Sequence, residues 1–421
     1  MKKTLSKTLS KTLTMTAIAG SIAFTGTTAF SADTCDVEAS GTYGIVSNSQ
    51  PAFITFQKEL QKCKGVKVDW KILVDNKAAT YEGFLAPKSP LAGAMMSSSQ
   101  FGQYQAEGLV MPITNIVEKY RSKYPYLTDD MLIKVNGEVY GVAFVTNLQH
   151  FIYRKDLFEK YGLDTPTTYK ELLADLKIIK SKGEVDYPFG AAYKSGWNLG
   201  TEFVNLYLST GQDLFKSGTS LPNVNTKDAR RVLKTMKKLY SYASPNSLSL
   251  ASGDVVGLFQ SGEVAAMQMW ASRAAKVEDP KLSKVIGKIE LSSALKLSKK
   301  DPYTASSMFW DGFAIPKGTQ NDPEKTFQLF MELIDKETVM ETSESAVWLS
   351  PFAKVQKYSK GIIETRQAGV RAFPSSPQFN LLHAVIGKNI GDFLSGQKSG
   401  SEVLKKIERT YKKVAKEKGF L

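Results

Sequence analysis

The chain has 421 residues, with 55 Lys and Arg against 41 Asp and Glu, a formal net charge of +14, and only two His and two Cys. So few His and Cys leave no metal-spaced cluster and no Cys–His pair for catalysis, and the sequence contains no glycine-rich phosphate loop. A chain of this length exceeds what one hydrophobic core usually supports, so at least two lobes are expected.

Residues 1–31 have the pattern of an export signal. The segment contains lysines but no acidic residue, residues 13–24 are largely apolar, and small side chains stand at both positions that a signal peptidase requires. The apolar run is too short to span a bilayer about 30 Å thick. We therefore expect cleavage after this segment and a soluble periplasmic protein. Asp33 interrupts the small-residue box that a lipid anchor needs before Cys35, so no lipid anchor is expected.

The two cysteines, Cys35 and Cys63, both lie early in the chain. An oxidising compartment favours a disulfide between them, which would tie the first predicted helix to the strand that begins at Val66. The alternative is a pair of unpaired buried thiols.

The excess of positive charge could indicate nucleic acid or an anionic membrane as a partner. The segment 1–31 contributes four lysines and no acidic residue, so its removal lowers the net charge from +14 to +10. Export would separate the chain from cytoplasmic nucleic acid, and lysines such as Lys405, Lys412 and Lys416 fall on the outer face of a predicted helix. We therefore expect solvated charge and no nucleic-acid partner.

From residue 42 onward, predicted strands alternate with predicted helices. The strands are expected at 43–46, 66–73 and 91–96. This alternation predicts a mostly parallel sheet, whose ligand site lies beyond the carboxyl ends of the strands. The polar turns 47–50 and 97–100 fall at two of those ends.

Residues 136–180 look like a junction between two α/β lobes. Asn136-Gly137 predicts a tight turn before a strand over 139–145, and a polar break over 146–150 interrupts the strand before it resumes. A short helix then ends at Gly162, and Thr168 with Glu171 predicts a capping box for the next helix.

Three segments, taken in order, resemble the extracellular solute-binding proteins that feed ABC importers, in the large sugar-binding family with a maltose-binding-protein-like fold. The first segment carries Gly137, Tyr140, Gly141, Tyr153, Leu157, Phe158, Gly162, Leu163, Thr168, Tyr169, Glu171 and Leu172, with Ala143 where the family commonly has Pro. The second, 259–267, reads FQSGEVAAM, and the third, 312–319, reads GFAIPKGT.

The resemblance implies a type II periplasmic binding protein of the α/β class. Each lobe would be a mostly parallel sheet flanked by helices, and short hinge crossings at 145–147 and 308–312 would join the lobes. The first lobe would comprise residues 32–146 and 308–345, and the second residues 147–307 and 346–421. Such a monomer would not be an enzyme and would need no cofactor. It would capture a sugar or polyol and deliver it to the membrane subunits of an ABC permease.

A sugar site needs flat aromatic rings for the pyranose faces and planar polar groups for the hydroxyls. Trp270 and Trp310 are preferred as aromatic platforms, Trp197 ranks after them, and Trp70 is expected in the core. The resemblance implies ligand contacts at Ser47, Asn48, Ser98, Asn147, Trp197, Trp270, Trp310 and Asp311. Serines 97–99 stand where many family members carry an acidic residue, so the identity of the sugar stays open.

Two other classes of function remain as alternatives. The same scaffold could bind a polyamine, an oligopeptide or a ferric ion, although Tyr124-Pro125-Tyr126 matches a ferric site poorly and Asp311 is the one good acidic candidate for a polyamine. The other alternative is an exported enzyme or adhesion module. His150 is a candidate for the cleft because it follows the first crossing, whereas His383 is expected to be a packing residue.

Overall fold

The computed structural model describes residues 35, 37–48, 51–73, 76–343, 346–354 and 356–421, with only the backbone of residues 51 and 52. Residues 35–421 belong to one unit, and the expected export signal lies outside the described residues. None of the described helices combines the length and the apolar character needed to cross a bilayer.

The strands and helices alternate through most of the chain. The strands are β1 (Gly41–Asn48), β2 (Val66–Leu73), β3 (Leu91–Ser97), β4 (Leu132–Val135), β5 (Glu138–Asn147), β6 (Gln149–Arg154), β7 (Tyr187–Gly190), β8 (Val264–Trp270), β9 (Ile289–Ser292), β10 (Ser307–Ala314), β11 (Val347–Trp348) and β12 (Arg371–Ala372). The helices are α1 (Pro51–Leu60), α2 (Lys77–Leu85), α3 (Ser98–Ala106), α4 (Thr114–Tyr120), α5 (Lys155–Lys160), α6 (Tyr169–Lys182), α7 (Trp197–Ser209), α8 (Lys227–Tyr240), α9 (Ser252–Gln260), α10 (Ala274–Val277), α11 (Pro323–Glu332), α12 (Lys336–Glu341), α13 (Lys360–Gln367), α14 (Pro377–Asn389), α15 (Gly391–Leu394) and α16 (Gly400–Glu417).

Two separate sheets confirm the two-lobed α/β fold, but both sheets are mixed and the expectation of mostly parallel sheets is wrong. The first has the order β11-β5-β10-β3-β1-β2, with β4 on β5 and β12 on β10, and the second has the order β7-β8-β6-β9. β1 pairs parallel with β2 and β3, whereas β10 runs antiparallel to β3 and β5. β5 carries the chain out of the first sheet and β10 brings it back, so these two strands must run in opposite directions.

The local signals in 136–180 are confirmed. Asn136 and Gly137 both have positive φ, as a tight hairpin turn requires, and Gly162 is left-handed after α5. Thr168 caps α6: its hydroxyl accepts from the Glu171 amide at 3.2 Å, and the Glu171 carboxylate accepts from the Thr168 amide at 3.1 Å.

Each sheet has its own hydrophobic core, which is the physical basis of the two lobes. In the first lobe Phe53, Phe56 and Phe144 pack together between α1 and β5. In the second lobe a larger core surrounds β6 and β8, with buried side chains from α6, α7, α8, α14 and α16.

The chain passes from one core to the other after β5, within β10, and again after residue 353, because Phe352 and Ala353 still pack against the first core whereas Tyr358 packs against the second. The first crossing is Leu148, a single residue between β5 and β6. In β10, Phe309 belongs to the second core and Phe313 to the first, so this strand itself is the second crossing. β11 pairs with β5 and keeps Trp348 in the first core, a few residues beyond the boundary drawn after residue 345.

The expected disulfide between Cys35 and Cys63 is present, with 28 residues of sequence separation. Cys63 is buried just after α1 and just before β2. The bond therefore ties the segment that leads into β1 to the end of the first helix.

Replacing both cysteines with alanine should lower the free energy of unfolding by about 3 to 4 kcal/mol, because the open chain gains the loop-closure entropy that the bond removes. Urea unfolding of the mature protein measures this difference. A reductant should destabilise the wild type by a similar amount and leave the double variant unchanged. Equal stabilities of oxidised wild type and double variant would contradict the role of the bond.

Candidate functional site

A cavity of about 330 Å³ lies between the two lobes and is called the cleft cavity below. Its volume falls in the range of small-molecule sites, roughly 300–1,000 Å³. The first lobe contributes Lys77, Ser99, Gln100, Gln103 and Tyr104, and the second contributes Gly196, Trp197, Phe373, Phe379, Asn380, His383, Ala384 and Lys388.

Three helices begin at the cleft cavity. α2 starts with Lys77, α3 starts with Ser98, and α7 starts with Trp197. The Gln100 side chain links the first two helices, because its amide donates to the Asn76 side chain at 3.4 Å and its oxygen accepts from the Ser97 amide at 3.3 Å. The segment 97–100, expected as a polar turn, is therefore the capped start of a helix.

Trp197 forms the exposed layer of an aromatic wall in the second lobe. Its side chain is 44% exposed, whereas Trp270 behind it is 7% exposed. The Trp197 ring centre lies 5.7 Å from that of Trp270 and 6.2 Å from that of Phe309, and Phe309 stacks on Phe373 at 3.9 Å. The wall offers the ring of Trp197 to the cavity and buries Trp270 as its support.

A close backbone contact positions Trp197. Gly196 has φ of +97°, and its amide donates to the Gly387 carbonyl of α14 at 3.1 Å. A Cβ on Gly387 would lie 2.0 Å from the Gly196 carbonyl oxygen. Glycine at both positions therefore lets α7 begin directly against α14.

The structure does not bring all predicted tryptophans together. Trp310 packs on Phe101 of α3, with ring centres 5.4 Å apart, and lines a second cavity of about 810 Å³ on the other side of that helix. Trp70 lies in the core, as expected, and its indole N–H donates to the Ser47 hydroxyl at 2.8 Å. Trp197 is thus the tryptophan that lines the cleft cavity.

The polar residues of the predicted set lie around the crossings and strand ends. The Asn147 side chain donates to the Ser272 hydroxyl at 3.1 Å, which ties β5 to the turn after β8. Asp311 is 7% exposed and pairs in register with Ser97 and Val145. Asn48 ends β1. The Ser98 hydroxyl is buried in the first turn of α3 and has no hydrogen-bond partner among the described residues.

The two histidines have different surroundings. His150 is fully buried against Gly361 and does not line the cleft cavity, and burial lowers its pKa to about 4. His383 is buried as expected, but its ring also lies 6.2 Å from that of Trp197 at the cavity wall. Burial and, after it, the charge of Lys77 lower the pKa of His383 to about 4, so its imidazole is neutral at pH 7.

Sequence reasoning missed several residues that line the cavity, among them Lys77, Phe373, Asn380 and Lys388. The sequence did contain a signal for Lys77, because this residue follows the carboxyl end of β2. The polar turns 47–50 and 97–100, which were singled out as candidate ligand sites, follow β1 and β3 in the same way. Phe373 and α14 come from a part of the sequence that carries no motif, so no comparable signal existed for them.

A buried polar network joins both crossings to α7. Gln149, the first residue of β6, donates to the Glu202 carboxyl at 2.6 Å and accepts from the Asn205 side chain at 2.9 Å. The backbone N–H of Gln149 donates to the Ser306 hydroxyl, and the Ser307 hydroxyl donates to the side-chain oxygen of Asn205. The helix that presents Trp197 is therefore fixed to the strands that connect the lobes.

Comparisons with known sequences identify relatives of the chain. A family model described as "Bacterial extracellular solute-binding protein" matches residues 47–337. A putative binding protein of Brucella abortus is 28% identical over 194 residues, which cover 42% of this chain and only 44% of the relative's length. A mannitol-binding protein of Pseudomonas aeruginosa is 22% identical over 328 residues, which cover 70% of this chain and 75% of the relative.

Solved structures with the same fold extend over almost the whole described chain. An ABC transporter solute-binding protein of Agrobacterium radiobacter in complex with ribitol is 22% identical, with a TM-score of 0.72, and the match covers 89% of this chain and 98% of that one. The maltose-bound MalE3 of T. maritima is 18% identical, with a TM-score of 0.73 and coverage of 89% and 99%. At these identities the similarity establishes the two-lobed fold.

The buried Glu202 carboxyl should make stability depend on pH. Burial raises its pKa from 4.5 to about 7, so the folded state binds this proton more tightly than the unfolded state. The free energy of unfolding should then fall by about 3 kcal/mol as pH rises from about 4.5 to about 7. The two buried histidines act in the opposite sense, because their lowered pKa values make stability rise with pH between about 4 and 6.5.

The variant Glu202→Gln separates these contributions, because it keeps the histidines and an acceptor for Gln149. The wild-type free energy of unfolding minus that of the variant, measured by urea titration at several pH values, should decrease across this window. A difference that stays constant with pH would show that Glu202 does not titrate there.

Proposed function

The chain belongs to the bacterial extracellular solute-binding protein family, and we propose that it captures a sugar or polyol in the cleft cavity for an ABC importer. It acts as an exported periplasmic monomer, performs no catalysis and delivers the solute to the membrane subunits of the permease. The exposed ring of Trp197, in a cavity lined from both lobes, is the observation that carries the proposal. The ribitol and maltose bound by proteins of the same fold support it.

The residues that line the cavity suit a polyhydroxylated solute. The C–H face of a sugar ring stacks on Trp197, which Trp270 and Phe309 hold in place from behind. Amide side chains both donate and accept hydrogen bonds, so Gln103 and Asn380 can satisfy hydroxyls from opposite lobes. Asn48, Ser98, Asn147 and Asp311 of the sequence-predicted set do not line this cavity, and they remain proposed contacts for the part of a solute that extends toward the strand ends and crossings.

Ligand capture works through closure of the two lobes. α3 of the first lobe meets the segment before α14 of the second, and the Asn380 side chain donates to the Ser99 carbonyl at 3.4 Å. A Cβ on Gly102 would lie 1.5 Å from the Ser375 carbonyl oxygen. This approach therefore requires glycine at position 102. A solute that contacts both lobes binds the closed arrangement more tightly than the open one, and this difference in affinity shifts the protein toward the closed arrangement.

The aromatic wall predicts opposite outcomes for its two tryptophans. Trp197→Ala should weaken binding of the solute about thirtyfold, or about 2 kcal/mol, and leave the melting temperature nearly unchanged because the side chain is half exposed. Trp270→Ala should instead lower the free energy of unfolding by about 3 kcal/mol or more, because it opens a cavity in the second core.

Calorimetric titration with ribitol, mannitol, maltose and the wider range of mono- and disaccharides, beside melting curves, measures both effects. If Trp197→Ala binds such a solute with the affinity of the wild type, the proposed stacking of the solute on the Trp197 ring is wrong. Failure of every sugar and polyol to bind the wild type would overturn the proposed function.

If binding requires closure, a larger side chain at a residue that touches the other lobe should lower the affinity for the solute. Gly102→Ala should lower solute affinity about tenfold or more, because its methyl group collides with the Ser375 carbonyl when the lobes approach. Gly257→Ala is the matched control, because this helical glycine of α9 has no atom within 4 Å of an added Cβ.

Both variants replace a helical glycine by alanine, so neither should lower helix stability. Small-angle scattering should show a smaller radius of gyration on ligand saturation for the wild type and the control, and a weaker change for Gly102→Ala. Equal affinities for all three proteins would contradict the role of the α3 contact in closure.

A further inference from the structure

The net positive charge of the chain is concentrated on two helices of the second lobe. α8 contains six Lys and Arg residues and one Asp, and α16 contains six Lys and Arg residues and three Glu, so together they carry a net charge of +8. The chain without residues 1–31 carries +10. The charges of all other residues after 31 therefore nearly cancel, and the excess belongs to this pair of helices.

Both helices expose their basic residues on one side. Their apolar residues, such as Val232, Met236, Ile407 and Tyr411, are buried in the second core. The exposed basic residues recur mainly at intervals of three or four, so they form a stripe along each helix. The two stripes are called the basic face below and consist of Lys227, Arg230, Lys234 and Lys238 on α8 and Lys405, Arg409, Lys412, Lys413 and Lys416 on α16.

The two helices are neighbours, and hydrogen bonds fix one to the other. The Glu408 carboxylate of α16 accepts from the backbone N–H groups of Val224 and Asn225 at 3.2 and 2.9 Å, just before α8 begins. Both helices also pack on the same core. Their outward stripes therefore lie next to each other and form one surface.

Carboxylates neutralise little of this charge. Asp228 of α8 pairs with Arg231 at 2.6 Å, and Glu408 accepts from the N–H groups before α8. Lys406 pairs with Asp392, but it does not belong to the basic face. Among the described residues, no carboxylate forms an ion pair with any residue of the basic face. The face therefore attracts a partner with negative charge.

A cavity of about 470 Å³ between α6 and α8 extends the basic face inward. Lys170 of α6 lines it together with Lys234 and Lys238 of α8, and none of the described lining residues carries a carboxylate. Thr235 and Ser241 add hydroxyl groups to the same wall. Ammonium and hydroxyl groups both donate hydrogen bonds to phosphate oxygens. The concave part of the face thus suits a phosphate group.

We propose that the basic face docks on the phosphate headgroups of an anionic lipid bilayer. Several Lys and Arg residues at such a surface add their attractions to the lipid charge. A nucleic acid suits the face less well, because the exposed residues of α8 and α16 include no aromatic side chain that could stack on a base. The proposal goes beyond the proposed function, since it assigns a partner to a surface of the second lobe that does not line the cleft cavity.

Co-sedimentation of the mature protein with lipid vesicles tests the proposal. The vesicles would contain either phosphatidylcholine alone or phosphatidylcholine with about one third of the anionic lipid phosphatidylglycerol. We expect binding to the anionic vesicles only, and this binding should disappear as the NaCl concentration rises from about 0.05 to about 0.5 M. Equal binding to both kinds of vesicle, or no binding to either, would overturn the proposal.

Two variants with the same net charge locate the docking surface. The first replaces Lys234, Lys238, Lys412 and Lys413 of the basic face with Gln, and it should bind anionic vesicles about a hundredfold more weakly than the wild type. The control replaces four exposed lysines of the first lobe with Gln and should bind like the wild type. These four are Lys58, Lys64, Lys67 and Lys71.

The comparison of the two variants decides between a docking face and overall charge. An equal loss in both variants would assign the attraction to net charge and overturn the basic face. Tighter binding of the wild type to a DNA oligonucleotide than to the anionic vesicles would assign the face to a nucleic acid instead. Neither set of lysines lines the cleft cavity, so the solute affinity that tests the proposed function should be the same in all three proteins.

Discussion

The antiparallel pair of β5 and β10 is the constraint on which the rest of the structure depends. One strand leaves the first sheet and the other enters it, so the pair carries two of the connections between the lobes. On the second-lobe side, the Gln149–Glu202–Asn205 network attaches the start of β6, which follows β5 after Leu148, and the start of β10 to α7. A buried network of this kind holds one geometry, because a broken bond would leave a buried polar group unsatisfied. The proposed closure of the lobes would therefore be confined to the few residues at each crossing, with Trp197 a fixed part of the second lobe.

The fold was largely predictable because its signals are local. The capping box of Thr168 and Glu171, the Asn136-Gly137 turn and the strand–helix alternation each depend on residues a few positions apart. The mixed character of the sheets was not predictable in this way. It follows from the return of β10 into the first sheet after more than 150 residues in the second lobe, and no local pattern encodes that return.

The candidate site was predictable only in part, because side-chain direction and long-range packing decide it. The rule that ligands lie beyond the carboxyl ends of strands drew attention to the start of α3, which lines the cleft cavity, and it would also have indicated Lys77. The ranking of the tryptophans depended on which face of a strand each occupies. Trp270 ends β8 and faces the second core, and Trp310 faces α3. Trp197 is exposed because α7 begins against Gly387, a contact made 190 residues later in the chain.

The two lobes contribute different side chains to the cleft cavity, and in the proposed function this division would couple binding to closure. The second lobe supplies the aromatic wall, which needs no partner from the first lobe to stack on a ring. The first lobe supplies the starts of α2 and α3, with Lys77 and the amides of Gln100 and Gln103. Under the proposed function, a solute would rest on Trp197 in an open protein and would gain the contacts of the first lobe only when α3 meets the segment before α14. Contacts that form only after closure would provide the difference in affinity that the proposed mechanism requires.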